Sequence, residues 1–314
     1  ALAFQSMRKL WFEGIRGTES VNVLIPHVAS ECTDIWTIIA SNLSARDLLA
    51  LRKTSAHKKV IAEKILINDL NAGKITPATI RISTVTGLIN FFGENCSLIT
   101  KLNLQEFPKL KDSDVEILSK NFAKLNHLLL SSGITDESAI HLEKMTLFSL
   151  DLSRCYQIKD FSFLQACKEL TSLDLSTCYQ IKDFSFLEHC KGLISLNLAG
   201  CSEIKDISFL QHCKELKSLC LSLCFAINDF SFLQDYKGLT SLDLSGCNQI
   251  NDLSFLQHCK GLVSLNLSKC RQINDISFLQ HCKELVSINL SECRQIDDIS
   301  FLQHCKGLTS LDLS

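Results

Sequence analysis

The stretch Thr171–Leu193 reads TSLDLSTCYQIKDFSFLEHCKGL, and residues 194–216, ISLNLAGCSEIKDISFLQHCKEL, restate it at a spacing of 23 residues. The common frame is L-x-x-L-x-L-x-x-C-x-x-I-x-D-x-S-F-L-x-x-C-x-x. Its opening alternates apolar and polar residues, the period of a half-buried strand. Leu170, Leu173 and Leu175 are expected to point inward, and Ser172, Asp174 and Ser176 outward. The chain turns after Cys178, and Ile181 dips back in. Asp183 and Ser185 suit the start of a short helical turn carrying Phe186 and Leu187, and Cys190 leads to the next strand.

One such unit cannot bury its own apolar face, but a stack of them can. The expected fold class is therefore α/β: a solenoid with a curved parallel β-sheet on its concave face and short 3₁₀ or α turns on its convex face. About ten strands are expected over residues 96–314, near 99–104, 125–130, 147–152, 170–175 and onward at the repeat spacing to 308–313. Phe163, Phe186, Phe209, Phe232, Phe255, Phe278 and Phe301 are expected to form one inward spine. The first units are less regular, and Leu110–Leu130 is long enough for a true convex helix. The sequence ends on LDLS, just after a strand, so the last edge is expected to be covered by further residues, a partner or a neighbouring molecule.

The quoted residues resemble the leucine-rich repeat family, in particular its cysteine-containing subclass with a shortened convex part. That resemblance covers about two-thirds of the chain and implies a protein-recognition surface on the concave face and its adjoining edge.

Composition narrows the functions open to the chain. The net charge of -2 over 314 residues gives no basic excess for phosphate backbones, so nucleic acid is not an expected partner. No apolar run approaches the roughly 20 residues of a membrane helix, so no membrane insertion is expected. Thirteen of the 16 cysteines obey the repeat. Cys155, Cys178, Cys201, Cys224, Cys247, Cys270 and Cys293 form one column. Cys167, Cys190, Cys213, Cys259, Cys282 and Cys305 form another, with Tyr236 in one cysteine's place. A disulfide column needs pairs, whereas a lone tyrosine substitution fits packing. These cysteines read as small buried residues in a reducing intracellular compartment.

Residues 1–6, ALAFQS, read as the remnant of a cleavable tag, and no Sec-type signal is visible from Met7. Residues 7–95 read as a helical N-terminal cap for the solenoid. Asp34 precedes one apolar run, Ser44 and Asp47 have capping-box spacing, HKKVIAEKILINDL is amphipathic, and Thr76-Pro77 suits a helix start. Within this region, IIASNLSARDLLALRKTSAHKK resembles an F-box, with Ile39, Leu43, Asp47 and Leu48 on its core pattern. Ile25-Pro26 stands for the family's early Leu-Pro, but farther upstream. The resemblance implies a Skp1-type adaptor as partner, met by Ile39, Leu43 and Leu48, and a substrate receptor of a ubiquitin ligase as an alternative function.

No catalytic motif, metal site or cofactor is expected. The pair His-Cys recurs five times, at His189/Cys190, His212/Cys213, His258/Cys259, His281/Cys282 and His304/Cys305. A zinc or thiolate site is needed once, so a surface histidine beside a buried cysteine is the plainer reading. Cys220 stands at an outward strand position and lacks a base and an oxyanion donor, so it reads as an exposed, uncatalytic thiol.

The candidate binding residues lie in two places. One is an outward row of Asp151, Asp174, Asn197, Cys220, Asp243, Asn266 and Asn289 beside a row of serines. The other lies just past the strands, where residues vary and the frame does not dictate them. Tyr156, Tyr179 and Phe225 stand there toward one end, and Arg271 and Arg294 toward the other. Aromatics and arginine are enriched at interface hot spots. The near-identical repeats and the F-box-like segment resemble leucine-rich-repeat effectors of intracellular bacterial pathogens. That implies delivery by a bacterium into host cytoplasm and a host protein, or another effector, as partner.

Overall fold

The computed structural model describes residues 40–314. Ile39, Ile25-Pro26, Asp34 and the segment 1–6 lie outside the described residues. The chain divides into two compact units, one ending at Ile75 and the other spanning Thr76–Ser314.

In the first unit, α1 (Ala45–Arg52) packs on α2 (Ala56–Asn71). Both start on a serine cap: Ser44 Oγ accepts from the Asp47 amide and Ser55 Oγ from the Lys58 amide, each at 3.3 Å. Such a cap satisfies an amide that has no partner inside the helix. Arg52 Nε meets the nearly buried Glu63 at 2.7 Å, so the carboxylate removed from water has a charged donor.

The second unit opens on one 3₁₀ turn, Ala78–Ile80, instead of the full helix expected at Pro77. Arg81 ends it in the left-handed region, with φ of 62°. Helix α3 (Val85–Phe92) follows, capped by Thr84 Oγ1 accepting from the Gly87 amide. It lies beside α4 (Asp112–Asn121), the convex helix expected in the long early repeat. These residues before the first strand thus belong to the same compact unit as the repeats.

The sheet is open and parallel, with its strands in sequence order. They are β1 (Lys101–Asn103), β2 (His127–Leu129), β3 (Ser149–Asp151), β4 (Ser172–Asp174) and β5 (Ser195–Asn197). Then come β6 (Ser218–Cys220), β7 (Ser241–Asp243), β8 (Ser264–Asn266), β9 (Ser287–Asn289) and β10 (Ser310–Asp312). Register keeps like over like: Leu173 pairs with Leu196, and Leu196 with Leu219. All ten stand at the expected places.

The convex half departs from expectation in its phase. Ile158, Phe161, Leu164, Cys167 and Leu170 are all buried, an apolar residue every third position. The 3₁₀ turn Ser162–Ala166 has three residues per turn, so Leu164 and the flanking Phe161 and Cys167 share the inward face. The deepest residues there are leucines: Leu164, Leu187, Leu210, Leu233, Leu256 and Leu279 are fully buried. The supposed spine sits one position off this phase. Phe209, Phe232 and Phe278 are only half-buried, while Phe163, Phe186, Phe255 and Phe301 are covered. The inward column two residues earlier, Phe161, Phe184, Ile207, Phe230, Leu253 and Ile276, was hidden by its variable identity. Phe161 and Phe184 stack on Phe186 and Phe209 of the following repeats, with ring centroids 6.0 and 5.0 Å apart. Ahead of the 3₁₀ turn in each 23-residue repeat an aspartate bends the chain: the Ser185 amide donates to Asp183 Oδ1 at 2.8 Å, and the bond recurs down the stack.

Candidate protein-binding surface

The outward Asp/Asn row ends the strands, and its side chains make the turns that follow. The amide of Ser153 donates to Asp151 Oδ1, that of Ser176 to Asp174 and that of Ser245 to Asp243, each at 2.8 Å. Asn197, Asn266 and Asn289 take the same bond two residues on. This is the Asx turn, in which a short side chain imitates a backbone acceptor. The second carboxylate oxygen bonds sideways: Asn197 Nδ2 donates to Asp174 Oδ2 at 2.8 Å, and Asn266 Nδ2 to Asp243 Oδ2 at 3.0 Å. Gln105 Nε2 reaches Asp151 in the same way at 2.9 Å. Burial, with the like charge of Asp174 adding, raises the Asp151 pKa above the usual carboxylate range. The row is thus held in place by the turns it makes and by its sideways bonds.

Cys220 is the one member of the row from Asp151 to Asn289 with a thiol in place of a carboxylate or amide. It is half-buried rather than exposed. Burial first, then Asp243 and Asp174, pushes its thiol up, the opposite of an activated nucleophile.

Past each of the strands β3 to β9 comes one residue in the left-handed region. Arg154, Thr177, Gly200, Leu223, Gly246, Lys269 and Glu292 all have φ between 59° and 73°. Their amides carry the ladder onward; that of Leu223, for example, donates to Ser245 O at 2.8 Å. The backbone therefore does dictate this column, and it favours glycine. Five of the seven repeats hold a side chain there, against a preference of about 1–2 kcal/mol each. The two glycines make room for their neighbours. A Cβ on Gly246 would lie 2.7 Å from Leu223 Cδ2, and one on Gly200 would lie 3.4 Å from Thr177 Cγ2.

Two residues farther on stand the expected anchors. Tyr156 and Tyr179 are 40% and 54% exposed, and their rings stack at 5.3 Å. Leu223 and Phe225 protrude together, at 46% and 47%. Gly200 and Ser202 form a low step between the two groups. Toward the other end, Arg271 Nη2 binds Glu292 at 3.0 Å, which lowers the glutamate's pKa, while Arg294 is exposed. The structure thus brings the aromatic anchors onto one rim of the sheet, beside the Asp/Asn row. Where the strands begin, the opposite rim carries Phe148, Ile194, Val263 and Val286, exposed apolar residues that sequence reasoning missed. Their signal was a variable position directly before the serine row.

Of the suggested adaptor-binding residues, Leu48 is fully buried and Leu43 half-buried. Among the described residues no cluster of His, Cys, Asp and Glu could hold a metal ion.

The cysteine columns supply the frame. All cysteines among the described residues are free. Cys178 Sγ donates to Leu152 O at 3.2 Å, Cys224 to Leu198 O at 3.2 Å and Cys247 to Leu221 O at 3.1 Å, each reaching into the preceding repeat. In the second column, Cys213 Sγ donates to Leu187 O at 3.5 Å and Cys259 to Leu233 O at 3.6 Å. Tyr236, standing in the same column, donates from its hydroxyl to the equivalent carbonyl, Leu210 O. What the column conserves is a donor for a buried carbonyl, which thiol and phenol both provide. Burial pushes the Cys178 and Cys201 thiols up to about 12, so they remain protonated donors.

Comparisons with known proteins agree with this geometry. The family model for leucine-rich repeats (2 copies) matches residues 146–189, 237–281 and 260–304. No curated protein matches the chain. Among solved structures, a chain of the yeast Rad7–Elc1 complex is 17% identical, with a TM-score of 0.53 over 95% of this chain and 94% of that one. Internalin C2 of Listeria monocytogenes is 22% identical, with a TM-score of 0.47 over 79% of this chain and 92% of its own. Internalin F of the same organism is 21% identical, with a TM-score of 0.45 over 79% and 81%. At such identities the likeness concerns fold alone. Ten in-register strands, 3₁₀ turns and the matched repeats make the second unit a leucine-rich-repeat solenoid.

Proposed function

We propose that the solenoid is a non-catalytic protein-recognition module whose partner meets the C-terminal rim of the sheet and the adjoining Asp/Asn row. The observation that carries this reading is the rim's side chains. Tyr156, Tyr179, Leu223 and Phe225 are large, exposed and confined to one rim, and Leu223 is held there in a backbone conformation that favours glycine. Strained positions that a fold retains are candidates for function. The stacked tyrosines offer rigid anchors, and the turn-fixed Asp and Asn side chains offer acceptors and donors that need little further ordering.

The partner is read as a host protein or a second effector, with the chain acting inside a host cell after delivery by a bacterium. Support for that finer statement comes from the sequence resemblance and from cysteine columns that serve as protonated thiol donors, compatible with a reducing compartment. Docking of a Skp1-type adaptor, the alternative, is not favoured, because Leu48 is buried rather than presented.

Affinity capture from host-cell lysate, followed by mass spectrometry, tests the proposal when run beside the Tyr156→Ala/Tyr179→Ala/Phe225→Ala variant. The expected result is a protein retained by the native chain and lost by the folded variant. Equal capture by both would remove this rim from the interface.

A further inference from the structure

The turns leading into the strands carry a lysine at one fixed place. It recurs every 23 residues at Lys168, Lys191, Lys214, Lys237, Lys260, Lys283 and Lys306, seven in all, and every one is exposed. Among the described residues none of the seven stands in an ion pair. The residue after the lysine is glycine in four repeats and glutamate in three, so the row keeps a net positive charge. Strands in register place successive lysines about 5 Å apart. Ile194, Val263 and Val286 project three residues beyond their lysines, and Phe148 occupies the same column; their exposures run from 38% to 46%.

We propose that this N-terminal rim docks peripherally on an anionic lipid surface. The ammonium groups would meet headgroup phosphates and carboxylates, and the aliphatic side chains would enter the boundary between headgroups and acyl chains. Three observations favour lipid over other polyanions. The row repeats one chemistry without variation, which suits an array of identical headgroups, whereas the opposite rim varies from repeat to repeat. Its apolar members are mainly aliphatic and offer no stacking platform for bases. The positive row sits on a chain of net charge -2, so attraction is local and orients the molecule. The contact is superficial: no described helix is long and apolar enough to cross a membrane.

The test is flotation of the full chain with vesicles of equal parts phosphatidylcholine and phosphatidylserine, beside vesicles of phosphatidylcholine alone. The expected result is binding to the anionic vesicles only, released by high salt because the attraction decays within a Debye length. Lys191→Glu/Lys237→Glu/Lys260→Glu should bind at least about tenfold more weakly. Ile194→Ser/Val263→Ser should weaken binding severalfold while keeping its salt dependence. Circular dichroism and melting confirm folding, and Lys237→Glu alone replaces the triple variant if that one loses its transition. Absence of flotation with the anionic vesicles, or equal flotation of native and charge-reversed chains, would overturn the proposal. Tighter binding of polyglutamate or duplex DNA than of vesicles would also overturn it, reassigning the row to an acidic protein or a nucleic acid.

Discussion

The interior columns and the C-terminal rim are built on the same spacing and answer to opposite demands. In the second cysteine column, residue identity changes only where the bond survives, as when Tyr236 replaces a cysteine and still reaches the Leu210 carbonyl. At the rim, the backbone at residue 223 would be served best by glycine, yet leucine stands there with its side chain over Gly246. The interior shows what stacking requires. The rim shows what stacking merely tolerates, and that excess is where recognition is sought.

Thiol labelling of the native protein separates the two regions most widely. Cys178 and Cys201 are almost inaccessible and require local opening, whereas Cys220 is half-buried on the sheet face. Cys220 should react roughly a thousandfold faster than Cys178, the ratio expected if modification awaits an opening of about 4 kcal/mol. Its rate should rise with pH, because burial has raised its pKa and the thiolate is the reactive form. Equal rates for Cys178 and Cys220 would break the distinction between interior and surface.

Interior truncation should cost most in stability. Leu233→Ala empties a fully buried 3₁₀ position and should destabilise by about 3 kcal/mol in denaturant unfolding. Tyr236→Phe keeps the ring but leaves the Leu210 carbonyl without its donor, at about 1–3 kcal/mol. Tyr236→Cys should be milder in that respect, since the column's usual donor returns. A phenylalanine variant as stable as the native chain would show that the column conserves volume rather than a hydrogen bond.

At the rim, Gly246→Ala should cost about 1–2 kcal/mol, because alanine is strained at φ of 71° and its Cβ meets Leu223. Part of that loss should vanish when Leu223→Gly is present, so a double-mutant cycle isolates the contact from the strain.

The strands and both cysteine columns were legible because alternation with period two and recurrence at a fixed spacing leave little choice of face. The convex half was misread at Phe209, Phe232 and Phe278 because adjacent Phe and Leu both look buried, while the three-residue phase puts Leu deepest and leaves these three Phe half-buried. The Asp/Asn row was legible as polar, but its turn-making role required attention to the amide two residues on. The left-handed column was nearly invisible, since only Gly200 and Gly246 hint at it among seven residues. The apolar N-terminal rim was obscured by the Thr and Lys residues that share its column, such as Thr171, Lys217 and Thr240.

Leu223→Gly bears most directly on the claim that the C-terminal rim keeps side chains for recognition rather than for folding. Its unfolding midpoint and its affinity for the captured partner should be measured on the same preparation. The expected result is a stability gain of up to about 1 kcal/mol, from relief of the left-handed strain less the lost packing over Gly246, together with weaker partner binding. A variant that is less stable than the native chain and binds as tightly would contradict the claim, making Leu223 a structural residue outside the interface.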